Sequence, residues 1–259
     1  MRLRSRTHNK VPEVTIYFWI VKVLTTGMGE TTSDFFIHRV GLTNKSGLAA
    51  VGLTAGVVLL ICLVIQVRSS RYSAPMYWMT VVMVGVFGTM VADGVHAELG
   101  VPYLASSVFF AVALAVVFVW WNRSEKTLSI HSIHTRRREL FYWAAVLTTF
   151  SLGTATGDMT AFSLKLGFLS SGLLFACLFA LPAIAYWKFH LNAVFAFWFA
   201  YIVTRPLGAS FADWFAGPAR LGSQSIRGLG FGYGVVSLIL GAAIICLVAY
   251  LDITRKDVR

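Results

Sequence analysis

The chain has 259 residues, of which 57% are apolar and 13% charged, and its formal net charge is +11. Soluble domains carry roughly 25% charged residues, so this composition excludes an ordinary soluble fold and indicates that lipid is the main solvent. Backbone groups in lipid must be satisfied internally, which leaves helices or a closed barrel. The apolar runs continue over about 20 residues, the length of a transmembrane helix and twice that of a barrel strand. We therefore predict an all-α membrane protein.

Eight transmembrane helices are predicted after a basic amino-terminal segment, residues 1–13. Their predicted ranges are 14–36, 48–67, 75–97, 103–121, 140–163, 167–187, 192–215 and 229–250. A basic loop, 122–139, separates the fourth helix from the fifth, and a tail, 252–259, follows the last helix. We group the helices as a single membrane domain, 14–251, whose two-helix repeats cover about 14–67, 75–121, 140–187 and 192–250.

Loop charges predict how these helices are oriented. The side with both termini and the 122–139 loop holds fifteen lysines and arginines, and the other side holds five. Because cytoplasmic loops carry the excess of basic residues, we expect both termini and this loop in the cytoplasm and the protein in the inner cell membrane. The net positive charge is thus explained by basic loops that set the orientation of the helices and lie near anionic lipid headgroups. No nucleic-acid partner is expected. The sequence does not predict an oligomeric state.

Common catalytic and cofactor motifs are absent from the sequence. There is no glycine-rich phosphate loop, no His-Glu-x-x-His pair and no Gly-x-Ser-x-Gly elbow. The three cysteines, Cys62, Cys177 and Cys246, lie in apolar runs far apart in sequence. Their spacing predicts neither a disulfide nor a thiolate metal site. We therefore predict that the protein is not an enzyme and has no cofactor.

One pattern occurs four times in the odd-numbered helices. A tryptophan preceded by an aromatic residue is followed after ten residues by a glycine and after fifteen by an aspartate, with a small residue just before the aspartate. The tryptophans are Trp19, Trp78, Trp143 and Trp198, the glycines Gly29, Gly88, Gly153 and Gly208, and the aspartates Asp34, Asp93, Asp158 and Asp213. Four occurrences of one spacing between uncommon residue types indicate a tandem repeat.

Each part of the repeat suits a role in a membrane. Tryptophan beside another aromatic residue is typical of the membrane interface. Glycine with a small residue four positions later allows helices to pack closely. An aspartate inside a membrane is costly and usually faces a bundle interior or an aqueous cavity. The alternative is that the aspartates lie at helix ends, where headgroup water solvates them.

We predict that the odd helices run in parallel and form a pseudo-four-fold bundle, with a ring of four aspartates at its axis and the even helices outside. Steps of four residues follow one face of a helix. They place Glu30, Thr89 and Thr154 below the aspartates, then Arg205, then Lys22. The four aspartates with Glu30, Thr89 and Thr154 are the candidate ion-binding residues. Oxygen ligands favour hard cations such as Mg²⁺, Mn²⁺ and Ca²⁺, so the four aspartates are also the candidate metal ligands.

Lower on the same faces, Phe150 and Tyr201 could close this pathway. Arg205 and Lys22 are its two basic residues, and they supply counter-charges to the carboxylates. Arg205 precedes Pro206, a residue that kinks or breaks helices. Broken helices often line the substrate site of a transporter.

The leading functional expectation is a cation transporter for a divalent metal such as manganese or magnesium, working by exchange of metal and protons. The first alternative is a proton-coupled transporter of a small organic anion, in which Arg205 and Lys22 bind the anionic group. The second is a structural membrane protein without transport, held together by contacts of aspartate with arginine and threonine. The expected partners are membrane lipid and the transported cation or small molecule.

The chain also resembles a bacterial membrane family built on a four-fold repeat of unknown function, with two spans and one tryptophan in each repeat. The residues that carry the resemblance are the segments 10–15, 29–31 and 204–210 and the repeated tryptophans. It covers about residues 10–251. Members of that family are described as uncharacterised membrane-anchored proteins, so the resemblance implies the repeat and the topology but no activity.

Overall fold

The structure, a computed structural model, describes residues 9–41, 45–97, 99–218 and 227–258. In these ranges the chain forms eight α-helices and no β-strand: α1 Ile16–Phe36, α2 Lys45–Arg68, α3 Ala74–Ala97, α4 Tyr103–Glu125, α5 Arg136–Asp158, α6 Gly167–Phe189, α7 Ala193–Ala216 and α8 Tyr233–Thr254. A π-helical turn follows α1 at Ile37–Gly41 and another follows α5 at Met159–Ser163. The predicted all-helical class is confirmed. Residues 1–8 of the basic segment, Arg220 and Arg259 lie outside the described residues.

Six of the described helices are long and apolar enough to cross a membrane, namely α2, α3, α4, α6, α7 and α8. The other two, α1 and α5, are more polar: α1 contains Lys22 and Glu30, and α5 begins with three arginines. This composition is that of a multi-pass membrane protein.

The helices are arranged as an inner ring and an outer layer. In the ring, α1 contacts α3, α3 contacts α5, α5 contacts α7, and α7 returns to α1. Each outer helix packs mainly against the inner helix of the following repeat, so that α2 lies on α3, α4 on α5, α6 on α7 and α8 on α1. The outer helices are mostly exposed, as their continuous apolar composition requires in lipid, whereas α3 and α7 are more than half buried.

The repeated glycines bring neighbouring inner helices into close contact. Each one packs against the residue three positions before the glycine of the next repeat. Gly29, Gly88, Gly153 and Gly208 meet Gly85, Phe150, Arg205 and Thr26, respectively. The last contact closes the ring, because Gly208 is in the fourth repeat and Thr26 is in the first. A side chain at these positions would occupy space that the neighbouring helix already fills, which explains why glycine recurs there.

Two predicted boundaries differ clearly from the structure. The eighth helix is Tyr233–Thr254 instead of 229–250, so it extends into the predicted tail. The loop between the fourth and fifth helices is shorter than the predicted 122–139, because α4 continues to Glu125 and α5 begins at Arg136. Thr135 caps α5 by accepting a hydrogen bond from the Arg138 amide. Long basic side chains can extend from a helix end towards water, so charged residues here continue the helices instead of ending them.

The described parts of both termini meet the loops after α2 and α4 at one end of the ring, which we call the basic end. Lys10 Nζ lies 2.5 Å from Glu139 Oε2, a contact between the amino-terminal segment and α5. Tyr72 donates a hydrogen bond to Asp257 Oδ2, which joins the loop after α2 to the tail. Burial, reinforced by this hydrogen bond, raises the pKa of Tyr72. The opposite end, where the inner helices reach their aspartates, is the aspartate end.

The glycine contacts generate a prediction about stability. In Gly153→Ala the new Cβ would overlap the Cβ and Cγ of Arg205, so we expect a loss of about 1–3 kcal/mol from overpacking. Thermal unfolding in detergent measures this loss. The matched control is Gly52→Ala on α2, where nothing lies within 4 Å of the added atom. Equal unfolding midpoints for the two variants would contradict the packing role of the repeated glycine.

Candidate functional site

The four repeated aspartates lie at the aspartate end of the inner ring. Asp34 and Asp213 are in the last turns of α1 and α7, Asp158 is the last residue of α5, and Asp93 is in the final turns of α3. Asp213 is buried, and the other three are half-buried. Each of the four interacts electrostatically with Glu30, which lies one turn below Asp34.

Three carboxylates form a tighter group within this set. Glu30, Asp34 and Asp213 each place an oxygen within 4.8 Å of the others, the arrangement of a potential cation site. Oδ1 of Asp213 is buried and has no hydrogen-bond partner in the described part of the chain. In the described ranges Asp93 and Asp158 do not belong to this group. The structure thus brings together two of the four predicted metal ligands and Glu30, which was predicted as an ion-binding residue in the layer below them.

Directly below this carboxylate group, Arg205 connects all four inner helices. Its Nη1 donates to the Thr26 carbonyl at 2.7 Å, and its Nη2 donates to Thr154 Oγ1 at 2.7 Å. The same Nη2 donates to Glu30 Oε2 and to Thr89 Oγ1. Because Arg205 belongs to α7, these bonds reach α1, α3 and α5. Glu30, Thr89 and Thr154, which the steps of four residues placed in one layer, therefore all accept hydrogen bonds from one guanidinium.

Lys22 lies in the next layer towards the basic end. Its Nζ is 3.9 Å from the centre of the Phe150 ring and 4.2 Å from the centre of the Tyr201 ring. Both rings are fully buried, and Phe150 also contacts the glycines of α3. Further down, Tyr77 and Tyr142 are hydrogen-bonded to each other inside the ring. Two of the repeated tryptophans, Trp143 and Trp198, pack against these tyrosines and fill the remaining space. Below Arg205, then, aromatic side chains close the axis.

Two stacked pairs of rings lie near the aspartates. Of their four residues, the sequence points only to His96, three residues after Asp93, as an extra outer ligand, with a merely solvated histidine at a helix end as the alternative. His38 stacks on Tyr233, and His96 stacks on Tyr103 with ring centres 3.6 Å apart. Both tyrosines interact electrostatically with several of the acidic residues. Nδ1 of His38 bonds to the carbonyl oxygen of Asp34. The position of His38, four residues after Asp34, was the available signal.

Pro206 does not break α7, which continues from Ala193 to Ala216. Proline has no amide hydrogen, so one carbonyl in the preceding turn lacks its helical donor. Thr26 Oγ1 of α1 donates to the Thr204 carbonyl at 3.1 Å, next to this interruption. This bond does not replace the one that Pro206 lacks, which would go to the Ile202 carbonyl, but it ties α7 to α1 beside the proline.

Comparison with known proteins identifies the repeat. The family described as Repeat of Unknown Function (DUF347) matches residues 17–72, 76–127, 141–191 and 196–257. These four segments coincide with the four predicted repeats and include every residue of the candidate site. No curated protein and no solved structure matches the chain.

The ion pair of Arg205 and Glu30 generates a second prediction. Both side chains are almost completely buried. Removing one member leaves a buried charge without its partner, so Glu30→Gln and Arg205→Met should each cost about 3–5 kcal/mol of unfolding free energy. The double variant should cost clearly less than the sum of the two, because neither charge then remains.

Unfolding midpoints of the wild type, both single variants and the double variant measure this coupling. The control is the exposed pair of Asp252 and Arg255, 3.5 Å apart, for which Asp252→Asn should leave the midpoint nearly unchanged. Additive effects of Glu30→Gln and Arg205→Met would show that the two residues are not coupled.

Proposed function

Because the chain belongs to the family of the Repeat of Unknown Function (DUF347), as its sequence pattern predicted, and because this family carries no assigned activity, we propose a function from the site itself. The protein is a membrane transporter for a divalent cation, with Mn²⁺ or Mg²⁺ as the substrate. The ion binds to Glu30, Asp34 and Asp213 at the aspartate end of the ring. Asp93 and Asp158 supply further negative charge near this site.

The observation that carries the proposal is the Glu30, Asp34 and Asp213 group with its unsatisfied oxygen. A buried carboxylate oxygen without a donor is costly in a membrane, because water is not available to solvate it. A bound cation or a proton would remove this cost. The three carboxylates come from α1 and α7, two helices that contact each other, and each carboxylate already places an oxygen within 4.8 Å of the other two.

The ligand atoms suggest which ions are suitable. Carboxylate and hydroxyl oxygens are hard donors, which favour Mg²⁺, Mn²⁺ and Ca²⁺ over soft metals. Closely spaced carboxylates also share protons when no metal is bound, because their like charges raise the cost of full ionisation. Exchange of a metal ion for protons is therefore the transport reaction that we propose, without a catalytic step.

For this transport we propose a topology of eight spans. The four repeats cross the membrane in parallel, and the basic end, with both termini, faces the cytoplasm. The excess of basic residues among the loops at that end supports this orientation. A carboxyl-terminal fusion to green fluorescent protein should fluoresce in cells, whereas a fusion to alkaline phosphatase should be inactive. The opposite pair of results would reverse the topology.

The alternative substrate, a small organic anion, fits the site less well. Arg205 would be its principal ligand, yet both terminal nitrogens of this guanidinium already donate to Thr26, Glu30, Thr89 and Thr154. The remaining donor, Nε of Arg205, has no partner among the described residues, but it belongs to a fully buried side chain that an anion could reach only by opening the ring. A purely structural role accounts for the Arg205 layer, but it leaves the three-carboxylate group without a purpose.

Cation binding is tested by thermal unfolding of the purified protein with Mg²⁺, Mn²⁺, Ca²⁺, Zn²⁺ and Na⁺. A ligand at one hundred times its Kd stabilises the folded state by about 2.7 kcal/mol. We expect Mn²⁺ or Mg²⁺ to raise the wild-type midpoint and to have no effect on Asp34→Asn/Asp213→Asn. Uptake of the same ion into proteoliposomes should be lost in that double variant.

Two further variants sharpen the result. Asp93→Asn/Asp158→Asn should weaken the cation effect without abolishing it, because these residues lie outside the three-carboxylate group. Asp252→Asn, on the exposed end of α8, should behave like the wild type. The proposal fails if no divalent ion shifts the wild-type midpoint, or if Asp34→Asn/Asp213→Asn keeps the full shift and full uptake.

A further inference from the structure

A groove lies between the outer helix α6 and the inner helices α1 and α7, near the basic end. It is lined by the beginnings of α1 and α7, by the second half of α6 and by residues 128–131 of the loop before α5. Its volume is about 600 Å³, within the range of roughly 300–1,000 Å³ that is usual for sites of small molecules. The groove is distinct from the carboxylate group, which lies at the opposite end of α1 and α7.

The lining of this groove is amphipathic. Most of it is apolar and includes the rings of Trp19, Phe179 and Phe197. Its polar residues all belong to the loop before α5 or to the last turn of α6, and they are Ser129, His131 and Tyr186. From this polar part the apolar walls follow α6 back to Phe179, over about 10 Å at the rise of an α-helix. A molecule that fits both parts has a polar group at the basic end and an apolar tail.

The neighbouring surface shows the depth of the polar part in the membrane. Trp187 and Phe189, which end α6, are 81% and 77% exposed, and Tyr186 is 53% exposed. Exposed tryptophan and tyrosine are typical of the level of the lipid headgroups. The apolar part of the groove then lies in the hydrocarbon, where its walls offer water no hydrogen-bond partners. Lipid is therefore the molecule that fills it.

Two lysines flank the polar part of the groove. Lys126 is two residues before Leu128 of the lining, and Lys188 is two residues after Tyr186. Both lysines are exposed, and neither forms an ion pair with another described residue. Their charges are therefore available to a headgroup at the polar part.

The start of α5 adds positive charge to the same region. Of its three arginines, 136–138, the last two contact Glu125. Nδ1 of His131 in the lining lies 3.8 Å from Oε2 of Glu13. With Lys126 and Lys188, five basic residues exceed these two acidic ones. A cluster of four to eight lysines and arginines beside a membrane helix is typical of sites for anionic lipid.

We propose that the groove binds one anionic phospholipid from the leaflet at the basic end. One acyl chain lies against the aromatic rings of the lining, and the phosphate lies at the polar part, where Lys126 and Lys188 attract its charge. A lipid tail is as apolar in the bilayer as in the groove, so the headgroup provides the selectivity. The bound lipid fills the space between α6 and α1, and its binding does not depend on the proposed cation transport.

Native mass spectrometry of the full chain in mild detergent tests this proposal, with dioleoyl phosphatidylglycerol and dioleoyl phosphatidylcholine added separately. We expect one phosphatidylglycerol to bind with a Kd roughly twentyfold lower than that of phosphatidylcholine, because each of the two lysines contributes a factor of about five. Glycerol phosphate has the anionic group without the tail and should not bind, which distinguishes a lipid site from a site for free phosphate.

Two variants locate the bound lipid. Ala183→Trp adds a large ring at an exposed position of the lining, so it should lose this phosphatidylglycerol and keep the unfolding midpoint of the lipid-free wild type. Its control, Ala111→Trp, changes an exposed alanine of α4 outside the groove and should bind the lipid normally. Lys126→Gln/Lys188→Gln leaves the groove open and should bind both lipids with nearly equal, weak affinity.

Three outcomes would overturn the proposal. The first is equal affinity of the wild type for the two lipids, and the second is undiminished binding of phosphatidylglycerol to a folded Ala183→Trp. The third is a lipid-free dimer that Ala183→Trp converts to a monomer, because a second copy of the chain would then occupy the groove. These outcomes are distinguishable from a failure of the cation site, since the experiment contains no divalent ion and leaves Glu30, Asp34 and Asp213 unchanged.

Discussion

The Arg205 guanidinium is the interaction on which the rest of the structure depends. An arginine cannot become neutral in a protein, so its charge must be met by acceptors wherever it is buried. Here the acceptors come from α1, α3 and α5, and they fix the register of three helices against the fourth. Since Glu30 is one of these acceptors, the same bond sets the lower boundary of the carboxylate group.

The molecule combines a symmetric scaffold with an asymmetric interior. The glycine contacts recur at equivalent positions in all four repeats, although the residue that each glycine meets is different. The aspartates recur as well, but three other buried ionisable residues of the interior do not: Glu30 and Lys22 are in the first repeat, and Arg205 is in the last. Because α7 closes the ring against α1, residues from the two ends of the sequence become neighbours. The candidate site is built at this closure.

Sequence patterns predicted the scaffold better than the site. Fixed spacing in the repeat indicated which residues share a layer, since the residues of one helix face follow from its geometry. It placed Glu30, Thr89 and Thr154 in one layer and Arg205 in the next, and in the structure the Arg205 side chain bonds to all three. Spacing cannot say which equivalent residues approach most closely, because that depends on helix rotation. It therefore treated the four aspartates alike, whereas the tight group in the described structure contains Asp34, Asp213 and Glu30. The residues of one repeat also do not indicate that its outer helix packs on the inner helix of the following repeat, as the structure shows.

That interlocking has a consequence for how such a ring can be composed. A ring of four separate, identical two-helix chains could close by the same heterologous contacts. Every residue would then occur four times, so four guanidinium groups of like charge would face one another across the axis. Joining the four units in one polypeptide removes this constraint. A single arginine, a single lysine and a single glutamate can then share the axis, so covalent connection is what permits a polarised interior within a symmetric frame.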